Sequence, residues 1–321
     1  MTEPSTRHLV NPDFLPVIDA LPFRTFDHET LHQARAESGE RFRALGEPVI
    51  APQVRTVAGP GGDLELYCFD PAPGTSGRAA LLHVHGGGMF LGSAREMASG
   101  PAGISAALGI PVVSVEYRLA PEAPFPAPQD DCLAALRWMS ENAEELGIDS
   151  ARIGILGESA GGGLAAATAL MARDTGGPAL AAQILVYPML DHRTGGDDCA
   201  WRNRTTGEFV WTRSSNRFGW EALQGSYQVD DARKGWFSPA LADDLSGLPP
   251  TVILTGSLDL FFDEDLDYAR RLVDAGVPVE LHSYPGAIHG FNIMPESSVS
   301  QAFARDMLGA ASRLLGLEPR A

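Results

Sequence analysis

From residue 79 onward the chain alternates short apolar runs with longer stretches in which apolar residues recur every three or four positions. Runs at 79–85, 110–115, 153–156, 182–187 and 251–255 are of strand length and largely apolar throughout, as strands covered on both faces must be; 279–284 is a sixth. Between and after them lie helix-period segments at 129–145, 160–173, 263–275 and about 300–315. The first of these has Leu133, Leu136, Trp138 and Met139 as its expected inner face, and the second is rich in Ala and Leu. Repeated strand–helix units with short links predict a mostly parallel sheet flanked by helices. Right-handed crossovers then bring the strand C-termini to one edge, where sites collect. Two further runs, 53–57 and 64–69, are joined by Gly-Pro-Gly-Gly at 59–62 and predict an antiparallel hairpin, which makes eight strands.

Two regions break the alternation. Residues 1–48 carry helical patches at 14–18 and 29–44, interrupted by Pro12, Pro16 and Pro22. Residues 191–236 hold Trp201, Trp211, Trp220 and Trp236, four of the five tryptophans, and are expected to form an inserted, mainly helical cover.

Composition narrows the function classes. A formal net charge of −17 argues against nucleic acid and anionic membrane surfaces as partners. Lys234 is the only lysine, a composition bias before it is a function. No apolar run approaches the roughly 18 residues of a membrane span. The first residues, MTEPSTRHLVNPDF, show neither a basic start nor an apolar run of the signal-peptide kind, so a cytoplasmic location is expected. Cys68, Cys132 and Cys199 are odd in number and lack C-x-x-C spacing; free thiols are expected, with no disulfide framework and no metal site.

The chemistry gathers at Gly157-Glu158-Ser159-Ala160-Gly161, a G-x-S-x-G pattern between a predicted strand and a predicted helix. A sharp strand-to-helix turn would strain the serine backbone and require nearly side-chain-free positions two before and two after it. A serine hydroxyl needs a base within hydrogen-bond reach. Of eight histidines, His83 and His282 fall inside strands and His8, His28, His32 and His192 lie in polar stretches; His289 follows a strand at the same sheet edge as Ser159. Asp259 directly follows the 251–255 strand and is the expected partner of His289. Asp263, Glu264 and Asp265 open a helix, where acids more simply favour its N-terminus. The expected oxyanion donors are the backbone N–H groups of Ala160, Gly87 and Gly88, with His85 bracing the glycine loop. The order Ser159, Asp259, His289 is that of α/β-hydrolases.

With HGGG at 85–88, YRLAPE at 117–122, GESAGG at 157–162 and HGF at 289–291, the chain resembles the hormone-sensitive-lipase family of α/β-hydrolases, the bacterial family IV esterases. The likeness runs from about Leu81 to the C-terminus and includes SPALADDLSGLPPTVILTGSLD from Ser238. It implies the α/β-hydrolase fold, ester hydrolysis without a cofactor, and a cap of two pieces, 1–48 and 191–236, over a core at 49–190 and 237–321. The family usually follows its catalytic Asp with Pro-Leu-Arg; here Leu260-Phe261-Phe262 follows, which puts the pocket floor or a subunit contact in question. Glu158 precedes the serine, where Asp or Thr is also common.

The expectation is a serine carboxylesterase for small-molecule esters with short to medium acyl chains. Phe209, Trp211, Leu260 and Phe291 are the candidate pocket wall. Amide, carbamate or lactone hydrolysis by the same machinery stays open, as does a homodimer. A non-catalytic small-molecule receptor on this fold would be expected to lack one of the three residues. A true lipase fits less well, since so acidic a chain suits soluble substrates better than an anionic lipid interface.

Overall fold

The Gly-Pro-Gly-Gly stretch turns the chain back on itself: β1 (Gln53–Gly59) and β2 (Gly62–Phe69) pair antiparallel, with Gly59 opposite Gly62. The computed structural model describes residues 5–20, 25–44 and 46–317. Residues 1–4, 21–24 and 45 of the expected cap, Pro22 included, lie outside the described residues, as do 318–321. Six strands follow the hairpin: β3 (Arg78–Val84), β4 (Val112–Val115), β5 (Ile148–Glu158), β6 (Ala182–Val186), β7 (Thr251–Gly256) and β8 (Val279–Tyr284). The sheet order is β1-β2-β4-β3-β5-β6-β7-β8, antiparallel across the first two pairings and parallel from β4 to β8.

The helices are α1 (Leu15–Ala20), α2 (Leu31–Arg43), α3 (Ser99–Leu108), α4 (Ala127–Glu141), α5 (Ala160–Asp174), α6 (Arg213–Gln224), α7 (Lys234–Phe237), α8 (Phe262–Asp274) and α9 (Ser298–Leu314). Alternate strand residues feed two separate cores, one on each face. Leu82, Ile155, Leu185 and Ile253 pack with Leu136 of α4, Leu164 of α5 and Leu272 of α8. Their neighbours Leu81, Leu156, Ile184 and Leu254 pack with Leu108 of α3 and with Phe303 and Met307 of α9. Both faces being covered is why these strands read as apolar runs rather than as alternation.

Three features depart from the pattern reading. Helix α3 was not expected, because Gly100, Pro101 and Gly103 depress helix propensity. Pro101 falls in its first turn, where a missing N–H costs nothing, and Ala102, Ser105 and Leu108 bury its inner face. On α4, Trp138 is only half-buried; Cys132 and Ala135 join Leu133, Leu136 and Met139 on the buried stripe, and Trp138 lies off it. The insertion is more loop than helix, since only α6 and the start of α7 fall within 191–236. Its first half is dense in Gly, Asp, Asn and Thr, with Gly195 at φ 82° and Gly207 at φ 76°, a composition of turns. Among the described residues no helix is long and apolar enough to cross a membrane.

Candidate active site

Strand β5 ends at Glu158 and α5 begins at Ala160, leaving Ser159 alone to make the turn. Its backbone stands at φ 57°, ψ −123°, a conformation that costs a non-glycine residue about 1–3 kcal/mol. The surroundings over-determine it. Ser159 donates its N–H to the Val186 carbonyl at 2.9 Å and accepts from the Met189 and Gly163 N–H groups at 3.0 and 3.1 Å. A Cβ at Gly157 would overlap the backbone of Gly161, and one at Gly161 would overlap the Val84 carbonyl, so both flanking glycines are dictated by close approach.

Three strand ends meet here. His289, beyond β8, lies with Nε2 2.9 Å from Ser159 Oγ and Nδ1 2.8 Å from Asp259 Oδ2. Because the Asp259 carboxylate accepts, Nδ1 carries the proton and Nε2 is left to accept from the serine hydroxyl. Asp259, beyond β7, is fully buried, and its Oδ1 accepts the Phe261 N–H at 3.0 Å. The imidazole is walled by Tyr187, Phe261 and Trp211, at ring-centroid distances of 4.8, 5.3 and 6.0 Å.

The competing acids Asp263, Glu264 and Asp265 stand in the first turn of α8, as expected, and two of them are also buried. Glu264 is buried and accepts the N–H groups of Leu190 and Asp191 at 2.7 and 3.3 Å together with the Thr194 hydroxyl, tying α8 to the start of the insertion. Burial, and then the charge of Asp191, push its carboxyl well above the ordinary range. Asp265 is likewise buried and pushed up. Among the described residues the carboxylate hydrogen-bonded to His289 is that of Asp259.

The loop after β3 brings Gly87 and Gly88 to the same edge, at φ 119° and 62°. Its approach to the serine is close: a Cβ on Gly86 would lie 2.9 Å from the Glu158 carbonyl oxygen and 3.4 Å from Ser159 Cβ. His85 donates from Nδ1 to the Gly86 carbonyl at 2.8 Å and stacks on Tyr117 at 4.2 Å. Burial lowers its pKa to about 3, so it stays neutral and braces the loop. The 117–122 motif supports it further, since Tyr117 donates its hydroxyl to the His85 carbonyl at 2.9 Å and Ala120 donates its N–H to the Met89 carbonyl at 3.0 Å. Ala160 is the first residue of α5, where backbone N–H groups have no intrahelical partner.

The expected pocket residues divide. Trp211 stands over the site, against His289 and Gly88, with its indole N–H donated to Asn216 at 3.1 Å. Phe209 is half-buried against the core that contains Tyr187. Leu260 is buried and faces a separate cavity of about 470 Å³ lined also by Thr194, Arg213 and Asp263, but not by Ser159 or His289. Phe291 is 1% exposed and packs on Tyr187, Tyr284 and Phe303, so it backs the wall rather than lining it. Sequence reasoning missed Tyr187, whose φ of 35° turns its ring onto His289, and the ring cluster of Phe26, Phe90 and Phe218 around Trp211. The Tyr-Pro pair closing β6 was the one available signal for Tyr187. Glu158 accepts from His83 at 3.0 Å, and the other His83 nitrogen meets Ser114 Oγ at 2.8 Å, which gives a strand-interior histidine a structural partner on each side.

The alpha/beta hydrolase fold family matches residues 81–293. Carboxylesterase NlhH of Mycobacterium tuberculosis is 36% identical, with 91% of this chain and 92% of that one covered. Esterase LipI of the same organism is 32% identical, with 88% of each chain covered. Among solved structures, a bacterial heroin esterase superposes with a TM-score of 0.88 at 36% identity, covering 97% of this chain and 99% of its own.

Proposed function

Because the chain belongs to the α/β-hydrolase family, in its hormone-sensitive-lipase branch, we propose that it is a serine carboxylesterase acting on short- to medium-chain acyl esters. The observation that carries this is the unbroken line of hydrogen bonds from Ser159 through His289 to the buried Asp259, with the serine at a strained, positive φ. Ser159 attacks the ester carbonyl while His289 Nε2 takes its proton; His289 then returns the proton to the departing alcohol. Asp259 holds the imidazole tautomer and stabilises the imidazolium. Water, activated by the same histidine, cleaves the acyl-enzyme. The tetrahedral oxyanion is met by the N–H groups of Gly87, Gly88 and Ala160.

The cap in this reading comprises 1–48 and 191–236. A cytoplasmic location suits the unpaired Cys68, Cys132 and Cys199. Among the described residues β8 is the last strand of the sheet, an edge to which a second copy of the chain could add. Amide, carbamate and lactone substrates are not favoured, since the named relatives are esterases. Labelling with a p-nitrophenyl organophosphate followed by peptide mapping tests the assignment. Modification at Ser159, lost in Ser159→Ala, is expected; modification at another serine would overturn it.

A further inference from the structure

Resting on that reading of the reaction, we infer that Arg35, on the cap helix α2, is a positioning residue that holds the oxyanion loop in its working shape. A single guanidinium makes four hydrogen bonds. Nε donates to the Phe90 carbonyl at 2.8 Å and Nη2 to the Ala120 carbonyl at 2.9 Å. The fork then closes on Glu122, Nη1 to Oε1 at 2.8 Å and Nη2 to Oε2 at 2.7 Å.

Both carbonyls belong to the support of Gly87 and Gly88. The N–H groups of Phe90 and Leu91 turn back onto the Gly87 carbonyl at 3.2 and 2.8 Å, so the position of Phe90 sets the plane of the Gly87 peptide. Ala120 holds the Met89 carbonyl through its own N–H. Arg35 therefore grips the loop directly at Phe90, and through Ala120 it grips the strut behind Met89. The planar fork serves all three acceptors at once; a lysine ammonium on a flexible stem would not hold them in one plane.

Docking and gripping come from different residues of the same helix. Leu31 and Ala34 are buried in the core that also holds Met89 and Phe90, and they seat α2 on the hydrolase body. Arg35, its side chain about 29% exposed, brings the polar bonds that fix where the loop lies. Oxyanion donors act only when aimed at the place the charge develops, so a loosened loop should lose transition-state stabilisation while ground-state binding persists.

The test compares Arg35→Met, Arg35→Lys and Leu31→Ala. The readouts are kcat and KM on a short-chain p-nitrophenyl ester, inhibition by an alkyl trifluoromethyl ketone, and Tm. Removing a whole oxyanion donor costs about 100-fold or more, so misaiming by Arg35→Met should lower kcat at least about ten-fold and weaken the ketone, an oxyanion-forming analogue, by a similar factor. KM should stay within about two-fold, and Arg35→Lys should restore part of kcat. Leu31→Ala should lower Tm at least as far while keeping kcat near wild type. Unchanged kcat in Arg35→Met, or an equal loss in Leu31→Ala at matched Tm, would overturn the inference. Should Arg35→Met fail to fold, Arg35→Lys, which keeps the charge and the stem but loses the planar fork to the Phe90 and Ala120 carbonyls, must itself lower kcat at nearly constant KM. A wild-type protein that turns over no ester overturns the esterase reading and this inference together; an active wild type with an unaffected Arg35→Met overturns the inference alone.

Discussion

Gly88 lies against the ring of Trp211, so that a Cβ at Gly88 would overlap Cη2 and Cζ2 of the indole. The glycine loop after β3 and the 191–236 insertion are thus fitted to each other with no room for a methyl group. Gly88 also stands at φ 62°, which strains any residue with a side chain. Gly88→Ala should therefore lower kcat/KM by about 100-fold or more by displacing loop and indole together. Adding Trp211→Ala should return some Tm, because it relieves the overlap, but little activity, because the φ strain and the lost wall remain. Steady-state kinetics and thermal unfolding of the three variants check this. A Gly88→Ala enzyme with normal kcat/KM would remove Gly88 from the oxyanion hole.

The strain at Ser159 makes a separable prediction about stability. At φ 57°, ψ −123° a glycine is at ease and a serine is not, and the hydroxyl hydrogen-bonds to His289. Ser159→Gly should abolish ester hydrolysis while raising stability by about 1–3 kcal/mol. Ser159→Ala should abolish it without that gain, since alanine keeps the strain. Denaturant unfolding of both variants against wild type decides; equal stabilities would mean that the strain is relaxed in solution.

Much of this was legible because each proposed reacting group sits at a strand end. Ser159, Asp259 and His289 fall just past apolar runs, and parallel strands must deliver their C-termini to a common edge. Gly157 and Gly161 were legible for the same reason, since backbone crowding leaves glycine as the residue that fits. What escaped depends on contacts between distant segments. Arg35 on an amphipathic helix looks like a solvated charge until Phe90 and Ala120 arrive at its tip. Tyr187 reads as the last residue of a strand, and only its backbone twist shows that the ring faces His289. Glu264 and Asp265 fit a helix N-terminus by spacing; that Glu264 also ties down Leu190, Asp191 and Thr194 depends on a distant segment, which no local pattern records. Phe291 stands two residues after His289 in sequence, yet its ring packs on Tyr284 and on Phe303 of α9.

Glu116, just past β4, gives the fold a pH dependence of known sign. Burial raises its pKa from 4.5 to about 7, against the pull of the N–H groups of Arg95 and Ala94. Between those two values the folded protein holds a proton that the unfolded chain has released, so stability falls as pH rises through the window and levels off above it. Glu116→Gln removes that titration. Denaturant unfolding should show the variant gaining about 2–3 kcal/mol relative to wild type at about pH 8, and little at about pH 4. A difference that does not change with pH would mean that Glu116 titrates normally.

Substrate range follows from the aromatic wall. Phe26, Phe90, Trp211 and Phe218 form one cluster, with Phe26–Phe90 centroids at 5.1 Å and Phe90–Phe218 at 4.9 Å, and Trp211 carries it to His289. An apolar slot of fixed depth gains about 0.8 kcal/mol for each methylene it buries and loses affinity once the chain no longer fits. Across p-nitrophenyl esters from acetyl to palmitoyl, kcat/KM should rise to an optimum at short or medium length and then fall. No jump in rate should occur as a substrate passes its solubility limit. Trp211→Ala removes the largest ring of the wall and should move the optimum to longer chains by about one or two methylenes, at the cost of the short ones. Phe209→Ala, at a half-buried ring outside that cluster, should move it less. An optimum that stays put in Trp211→Ala would take the indole out of the acyl pocket, and a maximum at palmitoyl with interfacial activation would make the protein a lipase.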